Sequence, residues 1–475
     1  MPFPIVPFVV ATALFMENTD STILATALPT IARDLNLDPI SLKLAVTSYL
    51  ISLAVFIPVS GWVADRVGAC TTFRVALVVF MLASVGCAFS ASLGQFVFWR
   101  AVQGAGGAMM VPVGRMVVVR AVPKNELVRA LSFLAMPSLI GPMMGPPLGG
   151  FIVTYTDWRW IFFVNIPIGV LGIVLATLFI PDNKHETAPL DAKGFVLSGL
   201  GLGGLVAGLA VSGRRIAPPE VALACLAVGA ISLYAYVRHA YSIAQPLLDL
   251  RLLRFKTFEA GILGGTLFRL GVGATAFLLP LMLQLGFGLD AWSSGLITFA
   301  GAIGAFAMKP VARLFLHKYG FRRLLIANGL IASGLLMVNA FWTAATPHLL
   351  ISLVLLIGGF SRSLQFTSLS AITYADLESR QIGAATSMAT VAQQVSVSFG
   401  VAIGAMVLEA SEWVAGRHTP VTADFSTAFI VVAMLSSLTS LAMLRLPASA
   451  GEEISGRVAG PRQLANPASS PSAGR

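Results

Sequence analysis

Long apolar runs separated by short polar segments are the main pattern of this chain. Fourteen of these runs are long enough to cross the hydrocarbon core of a bilayer as an α-helix. Their approximate limits are Pro4–Pro29, Leu42–Val63, Thr72–Ser92, Phe96–Val119, Ala130–Thr154, Trp160–Ile180, Gly194–Ser212, Val221–Val237, Phe258–Leu285, Ser294–Leu316, Leu324–Ala344, His348–Ile372, Gly383–Leu408 and Phe425–Leu444. The pattern predicts an all-α integral membrane protein, because helices satisfy their own backbone hydrogen bonds in lipid.

Composition supports this prediction. The chain has 475 residues, of which 56% are hydrophobic and 11% charged, and its mean hydropathy is +0.84. A soluble protein carries about 25% charged residues. The net charge of +10 does not indicate a nucleic-acid partner, because the basic residues lie mostly in loops between apolar runs. Three widely spaced cysteines predict neither a disulfide nor a metal site.

The distribution of lysine and arginine predicts the orientation. With the N-terminus inside, twenty-one of the 31 basic residues lie on the inner side and six on the outer side. This bias predicts that both termini are cytoplasmic and that the number of spans is even. Arg214 and Arg215 fall on the outer side between spans seven and eight. If those two spans do not cross the membrane, the count becomes twelve with the same orientation.

The order of the spans predicts four regions. Residues 1–182 form an N-terminal six-helix bundle and residues 258–446 a C-terminal one. Residues 183–257 connect them with two extra transmembrane helices, and residues 447–475, rich in Pro, Ser, Ala and Gly, are expected to be a disordered cytoplasmic tail. A short internal repeat aligns Gly68 with Gly320, each followed by basic residues, as parallel half-repeats would.

The fifth run contains the unusual stretch GPMMGPPLGG. Its helix-breaking and small residues are Gly141, Pro142, Gly145, Pro146, Pro147, Gly149 and Gly150. The spacing of Gly141, Gly145 and Gly149 predicts one flat ridge that another backbone can approach closely. Two interpretations stay open: an ordinary kinked packing helix, or a helix at the seam between two moving halves.

Charged side chains inside the spans are candidate functional residues, because burying a charge in lipid is costly. Glu17 and Asp20 are three residues apart in span one and share a face. Arg100 lies in span four at a similar depth, about 10 Å from the outer side, with Gln103 on its face. Two acids beside one arginine suit proton coupling. A static ion pair between the two helices is the alternative.

The second half has mid-span arginines without a matching acid at their depth. These are Arg269 in span nine and Arg362 in span twelve, where Gln365 and Phe366 share the face of Arg362. They either face the acids of span one across a central cavity or bind an anionic part of a substrate. The alternative is that each donates hydrogen bonds to helix carbonyls at a nearby glycine.

Four sequence motifs in order resemble the major facilitator superfamily, in particular its fourteen-spanner drug:proton antiporter family with its multidrug-resistance exporters. Span one reads DSTILATALP from Asp20. The loop after span two keeps the pattern of the family's gating loop at Gly61, Asp65, Arg66 and Gly68, without the usual basic pair at 69–70. Span four has R-x-x-Q-G from Arg100, and GPMMGPPLGG resembles the antiporter motif. The stretch Asp157–Gly169 also resembles a family motif; we expect a structural role for it, with Trp158 and Trp160 at the interface.

The resemblance implies a major facilitator fold of two six-helix bundles with two linking helices and no prosthetic group. It implies export of lipophilic small molecules in exchange for protons, by alternating access, across a bacterial-type cytoplasmic (inner) membrane. Glu17 and Asp20 would carry protons, and Arg100 would set their pKa. The residues from Gly141 to Gly150 would seal the halves against proton leak. The substrate cavity would be lined by Gln103, Arg269, Arg362, Gln365 and Phe366.

Two rival functions stay open. The mid-span arginines favour a narrow exporter of one organic anion or metabolite. A non-transporting membrane sensor is the second rival. An enzyme is not expected, because Gly104–Gly107 has no following Lys-Ser/Thr and the chain has no H-E-x-x-H. We expect a monomer whose partners are lipid, protons and a small-molecule substrate.

Overall fold

A computed structural model describes residues 5–121, 127–180, 189–212, 218–378, 381–417, 419–447 and 450–451. Sixteen α-helices make up nearly all of this part of the chain. They are α1 Ile5–Asp34, α2 Lys43–Val67, α3 Ala69–Ala88, α4 Leu93–Ala121, α5 Leu127–Tyr155, α6 Trp160–Phe163, α7 Asn165–Phe179, α8 Ala192–Val211, α9 Pro219–Ser242, α10 Lys256–Leu281, α11 Ala291–Ala307, α12 Ala312–Tyr319, α13 Phe321–Val338, α14 His348–Thr373, α15 Ile382–Val414 and α16 Thr422–Met443. Nearly all of the tail predicted from residue 447 lies outside the described residues.

Most of these helices are long and apolar enough to cross a membrane. Eleven meet both conditions among the described residues, with α6 and α7 together forming one span, Trp160–Phe179. The remaining long helices, α1, α4 and α5, contain 30, 29 and 29 residues and pack in the same bundles. The structure is therefore an all-α, multi-pass membrane protein, as the apolar pattern predicts.

The helices form two bundles and a linking pair. We call α1–α7 the N-terminal bundle and α10–α16 the C-terminal bundle. The linking helices α8 and α9 pack on each other, and α8 also contacts α2 and α15. Asp191 caps α8 and accepts hydrogen bonds from the Gly194 and Leu247 N–H groups, and its Oδ1 lies 2.7 Å from His239 Nε2 of α9. Burial of Asp191 opposes its ionisation, but these bonds outweigh that effect and lower its pKa.

The repeat predicted between Gly68 and Gly320 is visible in the backbone. Both glycines have positive φ, 108° and 71°, a conformation that L side chains avoid. The N–H of each bonds to the fourth residue before it, and the carbonyl of each accepts from the fourth residue after it. Each glycine therefore turns one helix into the next at the corresponding point of its half.

The two ends of the molecule differ in how the bundles meet. We call the end where α1 stops and α2 starts the Lys43 face, and the end with Gly68 and Gly320 the Gly68 face. On the Lys43 face one apolar core includes residues of both bundles, such as Leu28 and Phe162 with Phe277 and Phe429. On the Gly68 face the starts of α10 and α15 pack with the N-terminal bundle and the linking helices, while α13, α14 and α16 contribute to a separate core.

Candidate functional site

A buried ion pair joins α1 to α4 in the middle of the N-terminal bundle. Arg100 Nη1 donates to Asp20 Oδ2 at 2.7 Å, and the two side chains are 1% and 2% exposed. The similar depth predicted for these residues is therefore realised as direct contact. Gly104, one turn after Arg100, allows this packing, because a methyl group there would lie 2.5 Å from the Tyr49 carbonyl oxygen of α2.

Neutral polar groups complete the coordination of Asp20. Its Oδ1 accepts from Gln103 Nε2 at 2.9 Å and from Asn165 Nδ2 at 2.8 Å. Gln103 Oε1 accepts from Arg100 Nη1 at 2.5 Å. Both amides also donate to Ser84 Oγ of α3. Five side chains from α1, α3, α4 and α7 thus form one network in which the charges of Asp20 and Arg100 balance.

Two members of this network were missed in the sequence. Ser84 lies in an apolar run and carries no signal of its own. Asn165 belongs to the stretch Asp157–Gly169, for which we expect a structural role, and its hydrogen bond to Asp20 joins this stretch to the network. Trp158, which we expect at the interface, is 3% exposed and donates from Nε1 to Asp34 Oδ2 at 3.0 Å. Trp160, in contrast, is 56% exposed.

A central cavity of about 230 Å³ lies beside the network. It is bounded by α1, α2 and α4 on one side and by α10 and α15 on the other, so it lies between the bundles. The side chains that line it are those of Glu17, Asn18, Ser21, Thr22, Ala25, Leu28, Val46, Tyr49, Leu50, Leu53, Arg100, Ala276, Phe277, Gln393, Gln394, Val397 and Val401. Just over half of these are apolar, and the others carry carboxylate, amide, hydroxyl and guanidinium groups.

Arg100 belongs to both the network and the cavity. Its guanidinium carbon lies 4.3 Å from the centre of the Tyr49 ring, an attractive cation–π geometry. Glu17 lines the cavity near the Tyr49 hydroxyl, since a methyl group at Gly107 would approach both. Glu17 and Asp20 are therefore not equivalent: Glu17 faces the cavity, and Asp20 lies in the interior of the N-terminal bundle.

The residues predicted in the second half lie elsewhere. Arg269 is 6% exposed, with its guanidinium carbon 5.3 Å from the centre of the Phe366 ring. Arg362 lines a separate cavity of about 30 Å³ together with Thr275 and Asn339. Gln365 accepts from Asn328 Nδ2 at 2.9 Å. The lining of the central cavity includes none of Gln103, Arg269, Arg362, Gln365 and Phe366.

The glycine ridge of α5 lies against α1. A methyl group at Gly145 would overlap Thr22, and one at Gly149 would lie 2.9 Å from the Ile23 carbonyl oxygen. The other edge of α5 meets the opposite bundle: a methyl group at Gly150 would lie 2.5 Å from the Ala291 carbonyl oxygen of α11. This stretch therefore contacts both the acid-bearing helix and the seam between the bundles.

The loop predicted to act as a cytoplasmic gate lies on the Gly68 face. Asp65 is half-buried and Arg66 is exposed, with the Arg66 guanidinium 5.5 Å from the centre of the Trp62 ring. A methyl group at Gly61 would have open space around it, with no atom of another described element within 4 Å. The positive φ of Gly68 explains why that position of the motif is glycine.

Two bundles of apolar helices with a buried charged network and a cavity between them have the architecture of a membrane transporter. The family profile described as Major Facilitator Superfamily matches residues 10–401, and the chain belongs to this superfamily. It is 36% identical over 404 residues to the Salmonella typhi protein named "Putative multidrug resistance protein MdtD", covering 84% of this chain and 85% of the relative. The protein of the same name from Escherichia coli O6:H1 is 35% identical over the same shares.

Solved structures show the same fold at low sequence identity. A D-xylose-proton symporter superposes with a TM-score of 0.68 at 17% identity, covering 94% of this chain and 98% of its own. A POT family transporter in complex with 5-aminolevulinic acid superposes with a TM-score of 0.67 at 14% identity, covering 92% and 95%.

Proposed function

We propose that this transporter is a proton-coupled exporter of lipophilic small molecules that works by alternating access. The observation that carries the proposal is the buried Asp20–Arg100 pair, whose arginine also lines the central cavity. A change in the charge of Asp20 therefore alters the electrostatic environment of the cavity wall through Arg100. The named multidrug-resistance relatives support the substrate class.

The network suggests how a proton is exchanged for substrate. When Asp20 is ionised, it holds Arg100 through a charge-assisted hydrogen bond. When Asp20 takes up a proton, this bond weakens and the guanidinium is free to turn toward Glu17 at the cavity wall. Binding of substrate near Glu17 and Tyr49 then changes how strongly the two carboxyl groups hold a proton.

The central cavity suits an apolar solute that offers a few hydrogen-bonding groups. Its walls combine Leu28, Phe277 and Val397 with the amides of Gln393 and Gln394. Pockets for drug-sized ligands measure about 300–1,000 Å³, which exceeds the 230 Å³ found here. A drug-sized substrate therefore requires the bundles to move apart, as alternating access does.

Several further properties belong to the proposal. Both termini are cytoplasmic, so the Lys43 face is the outer face and the Gly68 face the inner face. The domain limits are 1–182, 183–257 and 258–446. The protein acts as a monomer without prosthetic group and catalyses no covalent reaction, and nucleic acid is not a partner. The residues from Gly141 to Gly150 limit proton leak along the seam, and the Gly61–Gly68 loop controls opening of the inner face.

Proton release from purified protein tests this proposal. Candidate lipophilic compounds are added to weakly buffered wild type and to Asp20→Asn, which keeps the side-chain size and removes the titrating group. Asp34→Asn is the matched control: it lies on the same helix, its side chain is 44% exposed, and it is outside the network. We expect release from wild type and from Asp34→Asn, and none from Asp20→Asn.

Compounds that bind without releasing protons would refute coupling at Asp20. In that case the Asp20–Arg100 pair is a static link between α1 and α4. If no solute binds or moves in proteoliposomes under any gradient, the sensor function replaces transport.

A narrow exporter of an organic anion is the second candidate. Arg269 and Arg362 favour it, because no ion pair to a carboxylate is found for either among the described residues. Competition between matched anionic, neutral and cationic compounds separates the two functions. Preference for the anion, lost in Arg362→Gln, supports the second candidate; a broad cationic profile rules it out.

A further inference from the structure

A second buried ion pair joins the two bundles. Lys43 begins α2 and Glu409 lies near the end of α15, and the distance from Lys43 Nζ to Glu409 Oε1 is 2.6 Å. The Lys43 side chain is 0% exposed and that of Glu409 is 8% exposed. The Asp20–Arg100 pair lies within one bundle, whereas this pair crosses the seam.

The pair lies between the central cavity and the Lys43 face. Val46, one turn after Lys43, and Val401, about two turns before Glu409, both line the cavity. At 1.5 Å per residue, Glu409 is about 12 Å beyond Val401 along α15. Leu42 and Leu408, the neighbours of the two charged residues, belong to the apolar core that both bundles share on this face. The ion pair thus belongs to the layer that closes the cavity.

Among the described residues, Lys43 is the cation that contacts Glu409. One turn further along α15, Glu412 is 1% exposed and adds a second carboxylate. On α16, Asp424 faces the same end of α15, but it accepts from Ser411 Oγ at 2.6 Å and from Arg417 Nη2 at 2.8 Å. The charged residues of α10 lie at its start or middle, away from this face.

The geometry of the pair suits a bond that can be broken. Only one carboxylate oxygen of Glu409 meets Lys43, and the other, Oε2, is buried without a hydrogen bond. A two-point contact between arginine and carboxylate would be harder to release. Removing either charge leaves the other buried and unpaired, which favours separation of the two helices.

We propose that Lys43 and Glu409 form an electrostatic latch that holds the Lys43 face closed, and that neutralising Glu409 releases it. The latch rests on the proposed function in one respect only, because it is a gate of the same transport cycle. Protonation from the Lys43 face, or replacement by glutamine, would remove the charge of Glu409. The bundles would then be held on this face by apolar packing alone.

Distances between spin labels across this face test the latch without substrate or proton gradient. Labels are placed at Ala91→Cys, between α3 and α4, and at Ala344→Cys, between α13 and α14, in a background without the three native cysteines. Both positions are exposed and lie on different bundles. Glu409→Gln and Lys43→Met are compared with the unaltered pair. Arg159→Gln is the matched control, because Arg159 bonds Asp34 on the same face but within one bundle and partly exposed.

We expect one short distance in the unaltered protein and in Arg159→Gln. Glu409→Gln and Lys43→Met should shift the ratio of open to closed states by about tenfold or more, since a buried pair has lost one partner. The exchanged pair Lys43→Glu/Glu409→Lys should restore the short distance, which separates loss of the latch from misfolding. Superimposable distributions for all variants would overturn the proposal.

The result is independent of proton coupling. If the distances shift but no compound releases protons, the latch gates an uncoupled carrier. If protons are released but the distances do not shift, coupling stands and the latch is refuted.

Discussion

The two bundles use the same spacing of polar residues in equivalent helices, but in the part of the chain that the structure describes the arginine of this spacing meets an acid only in the first half. In α4, the fourth helix of the first half, Arg100 and Gln103 lie three residues apart; in α14, the fourth membrane-spanning helix of the second half, Arg362 and Gln365 do the same. Arg100 meets Asp20 of the first helix at 2.7 Å. The first helix of the second half, α10, carries Arg269 at mid-span instead of an acid.

The neutral groups differ in a corresponding way. In the N-terminal bundle, Gln103 and Asn165 donate to a carboxylate. In the C-terminal bundle, Asn328 donates to Gln365, and Ser361 donates to Asn328, so the network contains amides and hydroxyls only. A repeated fold has thus produced one half with a titratable pair and one half with cations beside a neutral network. The comparison explains why we place proton coupling in the first half.

Removing the arginine of each bundle should give the largest difference between the bundles in the free energy of unfolding. Arg100→Met leaves Asp20 buried without its cation and should lower the free energy of unfolding by about 3–5 kcal/mol. Arg362→Met removes a cation that has no carboxylate partner in the described ion pairs, so its cost should stay below about 1 kcal/mol. Unfolding in mixed detergent and SDS measures both. An equal loss in Arg362→Met would mean that Arg362 is balanced by a bound anion.

Adding an acid to the second half should give Arg362 a carboxylate partner, as Arg100 has in the first half. Asn339 lines the same small cavity as Arg362, and its Oδ1 is buried without a hydrogen bond. The change in the free energy of unfolding caused by Asn339→Asp should therefore be more favourable when Arg362 is present than in an Arg362→Met background, by about 1–3 kcal/mol. A double-mutant cycle on unfolding measures this coupling. Strictly additive effects would show that the two side chains do not interact.

Removing an amide should give the smallest difference in stability between the bundles, but a clear difference in the pH dependence of proton release. Asn165→Ala and Asn328→Ala each lose hydrogen bonds and should each cost about 1–2 kcal/mol. Only Asn165→Ala takes a donor from Asp20, so only this variant should change the pH midpoint of substrate-induced proton release. The same midpoint shift in both variants would show that proton release does not depend on the network around Asp20.

Much of the architecture could be predicted from the order of the residues. Apolar length predicted the helices, and the spacing of Gly141, Gly145 and Gly149 predicted a close helix contact. Counting residues from the span ends put Asp20 and Arg100 at a similar depth. Depth is one coordinate only, however. It could not say that Asn165 and Ser84 complete the site, because these residues come from other helices and carry no charge that lipid would penalise.

The sequence by itself determined that this chain is a multi-pass helical membrane protein with a few buried charges, since a bilayer tolerates little besides long apolar helices and penalises each charge within them. Only the tertiary structure decided which buried charges meet. It paired Asp20 with Arg100 inside one bundle and Lys43 with Glu409 across the seam, and it separated Arg362 from the central cavity. Such pairings depend on how helices rotate and pack against one another, and close packing, not apolar length, sets that arrangement in lipid.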